Sequence, residues 1–140
     1  MKLVVLAVLF LMKANSQVVV TDTGSTNRPG RTVTIDATTG KAEIADRRGI
    51  KSSMDLQTDL QTRLMKDVEA AMPLDKMAAS HCAKSVSFGS RMFVSYKGVR
   101  SPDISCGGQT DPLTIALQKD AQEIMDLAKA KMPQNKPQFQ

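Results

Sequence analysis

Aromatic side chains and histidine are scarce in this sequence. Its 140 residues include no tryptophan, one tyrosine, four phenylalanines and one histidine, His81. A nucleic-acid surface needs aromatic side chains for stacking, or basic residues gathered into a patch. Lysine and arginine are instead spread along the chain, so we expect no nucleic-acid partner. A single histidine excludes multi-histidine metal sites and most catalytic triads, and we expect no metal and no cofactor.

Long hydrophobic runs are also missing. The longest apolar run covers residues 3–12, whereas a membrane-spanning helix needs about 20 residues. The run has the length of a signal-peptide core, with Lys2 before it, Lys13 after it, and small residues in Ala14-Asn15-Ser16 where a signal peptidase reads the chain. We therefore predict a signal peptide over residues 1–16 and export to the periplasm or the medium, with no membrane span. Losing the two charges of Lys2 and Lys13 lowers the formal net charge from +5 to +3.

Cysteine is limited to Cys82 and Cys106. An even count in an exported protein predicts a disulfide. Closing a loop of about 25 residues would stabilise the fold by roughly 3.5 kcal/mol by chain-entropy arithmetic. The alternative is a thiol nucleophile at Cys82 assisted by His81. Because side chains that are adjacent in sequence usually point apart, we favour the disulfide.

The first part of the mature chain alternates between apolar and polar residues, as β-strands do. We predict strands over residues 18–20, 31–36 and 41–46. The turns between them are rich in glycine, with serine, asparagine and proline in the first. Strands joined by short turns favour an antiparallel meander.

A helix is predicted after this meander. Ser52 and Asp55 have the spacing of a capping box at its start. Pro73 ends it, because proline cannot continue the helical hydrogen bonds. Residues 74–83 that follow are ambiguous between a loop and a short helix. The apolar residues of the helix recur every four positions, at Leu56, Leu60, Leu64, Val68 and Met72.

Strand patterns return in the second half. Residues 85–88 and 91–96 are predicted as a hairpin joined by Gly89-Ser90. Residues 99–106 are predicted as a third strand, which Pro102 places at an edge of the sheet.

A final helix closes the second half. We predict Asp111 as its cap and Pro112 as its first residue. It should end at Met132-Pro133, and residues 133–140 are predicted to be a disordered tail. Its predicted apolar face comprises Leu113, Leu117, Ile124 and Ala128, with Leu127 beside them.

Together these patterns predict one α+β domain over residues 17–132. Both helices have a single apolar stripe, and both need an apolar sheet face as partner. We therefore expect a mostly antiparallel sheet of about five or six strands with two helices packed on one face. Whether the two halves are an internal duplication stays open.

Two motifs suggest chemistry. Asp22-Thr23-Gly24-Ser25 resembles the active-site motif of pepsin-like aspartic proteases, in which two aspartates share a proton. Only five residues of the mature chain precede Asp22 and no second Asp-Thr-Gly occurs, so we interpret the motif as a strand ending in a turn.

Met72, Met77, His81 and Cys82 are ligand types that Cu(I) prefers. No Met-x-x-Met repeat accompanies them, and we expect no copper site and no catalytic residue.

Three segments resemble small exported bacterial proteins of unknown role. They are Gly24-Ser25-Thr26-Asn27, Val94-Ser95-Tyr96 with its Lys97-Gly98 turn, and Ser101-Pro102-Asp103-Ile104-Ser105-Cys106. The order of strands, helix, strands and helix is similar to that of emfourin-type inhibitors of thermolysin-like metalloproteases. That likeness is architectural and implies a protease-inhibitor-like function without assigning an inhibitory residue.

These observations favour a non-enzymatic binding module whose partner is another exported or envelope protein. A structural or envelope-associated protein without a small ligand, and an enzyme, are the alternatives. Loops on a rigid scaffold are the usual binding surfaces. We predict the partner-binding residues to be Asn27 and Arg28 in residues 24–31, and Arg100 and Asp103 in residues 100–111. The oligomeric state stays open.

Overall fold

The computed structural model describes residues 16–133. The predicted signal peptide, apart from Ser16, and the predicted tail beyond Pro133 lie outside the described residues. The helices and strands follow one another as β1 (Gln17–Asp22), β2 (Arg31–Asp36), β3 (Lys41–Asp46), β4 (Lys51–Asp55), α1 (Thr58–Ala71), a 3-10 turn (Leu74–Lys76), β5 (Met92–Tyr96), β6 (Val99–Arg100) and α2 (Pro112–Lys131).

The six strands form one antiparallel sheet in the order β4-β3-β2-β1-β5-β6. The first four are consecutive neighbours, so the predicted meander is present and has one strand more than expected. β5 then returns to pair with the free side of β1. In this register Val18 lies opposite Ile35 and Tyr96, and Val20 lies opposite Val33. The apolar residues of successive strands therefore share one face.

Both helices cover that apolar face, as predicted for an α+β domain. Leu64 of α1 and Leu117 of α2 are completely buried in the same core as the strand residues. The opposite face of the sheet has no helix among the described residues. No described helix is long and apolar enough to cross a membrane. Complete burial is shared by the core residues Val18, Val20, Val33, Val68, Val94, Leu74, Ile104 and Ile124.

The predicted capping box of α1 is wrong. Ser52 and Asp55 lie in β4, where Asp55 pairs with Lys41 and Ser52 with Ile44. α1 begins three residues later, at Thr58, and its N-cap Gln57 makes no side-chain capping bond. The chain continues as a strand because Met54 buries its side chain on the core face. Pro73 ends the helix region as expected, and residues 74–76 form a 3-10 turn.

The predicted hairpin at residues 85–96 is also wrong in its first strand. Residues 77–91 contain no regular strand or helix, and β5 starts at Met92. The actual hairpin joins β5 to β6 through Lys97 and Gly98, which both have positive φ. β6 is only two residues long, lies at the sheet edge and ends two residues before Pro102, so the strand predicted over residues 99–106 stops at Arg100. Because the second half contributes two strands and the first half four, the halves do not match strand for strand.

The cap of α2 is confirmed, while its apolar face is partly wrong. Asp111 accepts a bond from the Thr114 backbone N–H at 2.9 Å, and Pro112 is the first helical residue. Leu113 and Leu127 are exposed at 43% each. α2 packs against α1 as well as the sheet, so its buried face is broader than one stripe. Its buried residues are Thr114, Leu117, Asp120, Ala121, Ile124, Met125 and Ala128.

Candidate binding site at one end of the sheet

The long loop of residues 77–91 is tied to the segment that precedes α2. Cys82 and Cys106 form a disulfide with their Cα atoms 5.8 Å apart, as predicted. The Ser80 backbone N–H donates to Gln109 Oε1 at 2.8 Å. Lys84 Nζ donates to Ser105 Oγ at 2.8 Å. The loop lacks regular structure, but the disulfide and these hydrogen bonds connect it to residues 105–109.

The turn after β1 is closed by its own backbone. Ser25 and Arg28 exchange backbone hydrogen bonds, and Asp22 Oδ1 accepts the Gly24 N–H at 2.8 Å. From the β3–β4 turn, Arg47 Nη2 donates to the carbonyl oxygens of Ser25 at 2.8 Å and Arg28 at 3.2 Å. The Asp-Thr-Gly-Ser segment thus forms a turn, and the Asp22 carboxylate is one of its internal hydrogen-bond acceptors.

These two loops pair with each other. The backbone N–H groups of Thr26 and Asn27 donate to the carbonyl oxygens of Val86 and Ser87, both at 3.2 Å. Ser25 Oγ also donates to the Ser87 carbonyl at 2.8 Å. We call residues 24–31 and 84–91, with Arg47, the loop platform.

The loop platform exposes two apolar side chains. Val86 is 84% exposed and Phe88 is 67% exposed, more than any other large hydrophobic residue described. Their backbones are hydrogen-bonded, since the Val86 carbonyl accepts the Thr26 N–H and the Phe88 N–H lies 3.4 Å from Ser85 Oγ. The sequence pattern does not reveal this pair, because Val86-Ser87-Phe88 alternates as a strand does.

The loop platform also carries three exposed arginines. Arg28, Arg47 and Arg91 are exposed. None of them forms an ion pair with an acidic residue of the described chain. The loop platform therefore combines apolar contact area with positive charge that no described acidic group neutralises.

The four residues predicted to bind a partner do not lie together. Asn27 and Arg28 are exposed in the loop platform. Arg100 is elsewhere, with its guanidinium 3.6 Å above the Phe93 ring on the open face of the sheet.

Asp103 is tied to its own loop. Its Oδ1 accepts the Met92 N–H at 3.1 Å, the Ser105 N–H at 2.9 Å and the Ser105 hydroxyl at 2.6 Å. Partial burial raises the pKa of Asp103, but the Ser105 and Met92 hydrogen bonds outweigh it and lower that pKa overall. Replacement of Asp103 would disturb this loop and would be a poor probe of partner binding.

The described residues offer little that could hold a metal. No group of three or more histidine, cysteine, aspartate or glutamate side chains among residues 16–133 could bind a metal ion. Cys82 is oxidised and His81 is exposed beside it.

Comparison with known proteins does not add a relative. No family model, curated protein or solved structure matches this chain. The resemblance to emfourin-type inhibitors stays a prediction, and the function has to be inferred from the chain's own side chains. The disulfide is compatible with an extracellular or periplasmic location.

Gly24 gives the first test of the loop platform. Its φ is +66°, and a Cβ added there would lie 2.4 Å from both the Arg28 carbonyl oxygen and the Gly30 nitrogen. Both are backbone atoms and cannot move aside cheaply. We expect Gly24→Ala to lower the free energy of unfolding by about 2 kcal/mol in urea titrations followed by circular dichroism.

Gly49→Ala is the matched control for that variant. Gly49 has a φ of +83°, but an added Cβ would meet nothing within 4 Å. This variant carries the backbone strain without the collision, so we expect a loss of about 1 kcal/mol. Equal losses in the two variants would contradict the close packing of the turn.

Proposed function

We propose that this protein is an exported, non-enzymatic binding module and that the loop platform holds a partner protein. The observation that carries the proposal is the exposure of Val86 and Phe88 on a loop whose backbone is hydrogen-bonded to a second loop. Large apolar side chains in a monomer are normally buried, and clustered exposure is typical of interaction sites. Aromatic side chains and arginines are the residue types that most often dominate binding energy.

The bracing of the loops supports the proposal. Association is opposed by the entropy lost when mobile loops become ordered. In the loop platform that ordering is already achieved by the Cys82–Cys106 disulfide, the Arg47 bonds and the pairing of the two loops. A braced loop that presents Phe88 can therefore bind with little further loss of freedom.

The two alternatives have less support. An enzyme needs a nucleophile or a pair of titratable groups aimed at a substrate. Asp22 is used inside its own turn and Cys82 is in a disulfide, so neither is available for that role. A purely structural protein has no need of exposed apolar residues on a braced loop. Export to the periplasm or the medium is part of the proposal and rests on the signal-peptide pattern and the disulfide.

Binding measurements on variants test the proposal. The protein would be immobilised, partners captured from the periplasm and the medium, and affinity for each purified partner measured by calorimetry. We expect Phe88→Ser to weaken binding at least about tenfold, which corresponds to about 1.4 kcal/mol.

Leu127→Ser is the control for Phe88→Ser. Leu127 is also an exposed apolar residue, at 43%, but lies on α2 outside the loop platform. Its replacement should leave affinity within about twofold. A partner that binds Phe88→Ser as tightly as the wild type would contradict the assignment of the loop platform as the binding surface.

The narrower form of the proposal is a protease inhibitor. A stiff loop with an exposed aromatic residue fits the extended cleft of a protease, and the architecture is similar to that of emfourin-type inhibitors. A thermolysin-like metalloprotease would be titrated with wild-type protein and with Phe88→Ser. Inhibition that depends on Phe88 is expected. Its absence would remove the inhibitor form and leave the binding module to the capture experiment.

A further inference from the structure

A small polar cleft is lined in part by the loop platform. Its volume is about 260 Å³, several times the roughly 30 Å³ that one water molecule occupies. Asn27 and Arg28 of the loop platform line it, as do Arg31 of β2 and Lys129 of α2. Ser90, two residues beyond Phe88, also lines it. The cleft therefore borders the loop platform, which also carries the exposed apolar side chains.

Arg31 has a hydrogen-bond donor that nothing described accepts. Its Nε is buried and has no partner within residues 16–133. Buried polar groups are nearly always hydrogen-bonded, so an orphan donor of this kind needs an explanation. A carboxylate that enters the cleft and reorients the Arg31 guanidinium would be one explanation.

The acidic residues next to Arg31 are already engaged. Asp22 and Asp46 lie opposite Arg31 on the two neighbouring strands. Asp22 Oδ1 accepts the Gly24 N–H, and Asp46 pairs with Arg48 at 2.7 Å. Neither forms an ion pair with Arg31. The strand register thus brings carboxylates near Arg31 without satisfying it.

The charge of the cleft favours an anion. Arg28, Arg31 and Lys129 contribute three positive charges to its lining. Asp22 and Asp126 contribute two negative charges, and Asp126 Oδ1 accepts the Gln122 amide at 3.1 Å. One positive charge is left over, and the guanidinium fork of an arginine matches a carboxylate geometrically.

We infer that the cleft receives an aspartate or glutamate side chain of the partner protein, beside Arg31, while the partner's neighbouring apolar residues contact Val86 and Phe88. The inference rests on the proposed function. It specifies the partner segment as an acidic residue close in sequence to apolar ones. The carboxylate would pair with the guanidinium group of Arg31 from the cleft, and its charge would complement the unpaired arginines of the loop platform.

A random peptide library displayed on phage provides the probe. The wild-type protein is used for selection, and the enriched peptides are synthesised and measured by calorimetry. We expect an aspartate or glutamate next to an apolar residue in the enriched sequences. Replacing that acidic residue by alanine, or Arg31 by glutamine, should each weaken binding at least about tenfold.

Two further measurements separate a direct contact from a structural effect. The two replacements should not add, because each removes the same ion pair. The guanidinium proton signals of Arg31 should also shift in NMR spectra when the acidic peptide is added. Arg31→Lys keeps the charge without the fork and should bind with intermediate affinity, which also covers the case in which Arg31→Gln does not fold. Lys66→Gln removes an exposed charge on α1 and should leave affinity within about twofold.

The outcomes distinguish the two proposals. Peptides that need Phe88 but tolerate Arg31→Gln would overturn the inference and leave the binding module intact. Peptides that tolerate Phe88→Ser would contradict the loop platform itself. Binding to anionic phosphatidylglycerol vesicles, with no peptide enriched, would assign the arginines to a lipid surface and overturn both.

Discussion

Replacing both cysteines, as Cys82→Ser with Cys106→Ser, should lower the free energy of unfolding by about 3 kcal/mol. The disulfide closes a loop across a sequence separation of 24, and most of that loop has no regular structure of its own. Without the bond the unfolded chain gains freedom, and the native long loop keeps only weak polar ties. Because total stability for a domain is about 5–15 kcal/mol, the loss is a large fraction. The chain has no tryptophan, so circular dichroism in urea is the suitable measurement.

The double variant is chosen so that no free thiol is left to react. Reductant should destabilise the wild type by the same amount and leave the variant unchanged. Partner affinity should fall together with stability, because the bond anchors the loop that carries Val86 and Phe88. Two alkylatable thiols in the native, unreduced protein would contradict the disulfide.

The stability of the wild type should fall as the pH rises from about 5 to about 7, and Asp120 is the cause. Asp120 of α2 is only 1% exposed and faces α1. Arg63 Nε of α1 donates to its Oδ1 at 2.7 Å, and Arg63 also pairs with Glu123. The other oxygen, Oδ2, is buried and accepts no hydrogen bond from a described residue, so it is better placed as a protonated donor than as a charged acceptor. Burial, together with the hydrogen bond to Asp67, raises the pKa of Asp120 to about 7 despite Arg63.

The sign of the effect follows from the two states. The pKa of Asp120 is about 7 in the folded protein and 3.8 without the fold. Between these values the folded state holds a proton that the unfolded state has lost. Protonation is then linked to folding, and stability is lost as the pH rises towards the folded pKa. At 1.36 kcal/mol per unit, we expect a loss of roughly 2 kcal/mol between about pH 5 and about pH 7.

Asp120→Asn should flatten this profile. Asparagine is neutral at every pH, still accepts from Arg63, and offers an N–H towards Asp67. The variant should match or exceed the wild type in stability at neutral pH. Glu123→Gln, at the exposed rim of the same contact, should keep the wild-type slope. A slope that survives Asp120→Asn would assign the pH dependence to another group.

Below about pH 4, acid should lower the stability of both the wild type and Asp120→Asn. Burial raises the pKa values of Asp46 and Asp103, but hydrogen bonds from Arg48 and Ser105, respectively, outweigh it and lower both. A lowered folded pKa means that stability is lost as the pH falls below about 4. The wild type should therefore be most stable between the two windows.

The parts of the fold that sequence reasoning recovered have strong local periodicity. β2, β3, α1 and α2 each repeat their apolar residues at the spacing of a strand or a helix. β4 has only Met54 on the core face, and its Ser52 and Asp55 imitate a cap. Tertiary pairing with β3 decides its conformation, and no local signal carries that information.

The candidate site was predictable in part for the same reason. Asn27 and Arg28 were identified because their turn contains no large apolar residue to bury. The alternation around Val86 and Phe88 predicts a strand, because alternation alone does not reveal whether a neighbouring strand is available. The sequence pattern predicts Arg31 as an ordinary strand residue. Its Nε is left unpaired because the two neighbouring aspartates, Asp22 and Asp46, bind other groups.

β1 lies inside the sheet, and its two neighbouring strands come from parts of the chain that are distant from each other. β1 receives β2 from nearby in sequence, but its other neighbour, β5, begins only at Met92. Until that distant segment arrives, the four-stranded meander ends in an unpaired edge that carries Val18, Val19 and Val20. Exposed apolar edges recruit strands from other molecules. The last third of the chain therefore protects this edge by pairing β5 with β1. A product shortened before Met92 would be expected to aggregate, even though its four strands and first helix are complete.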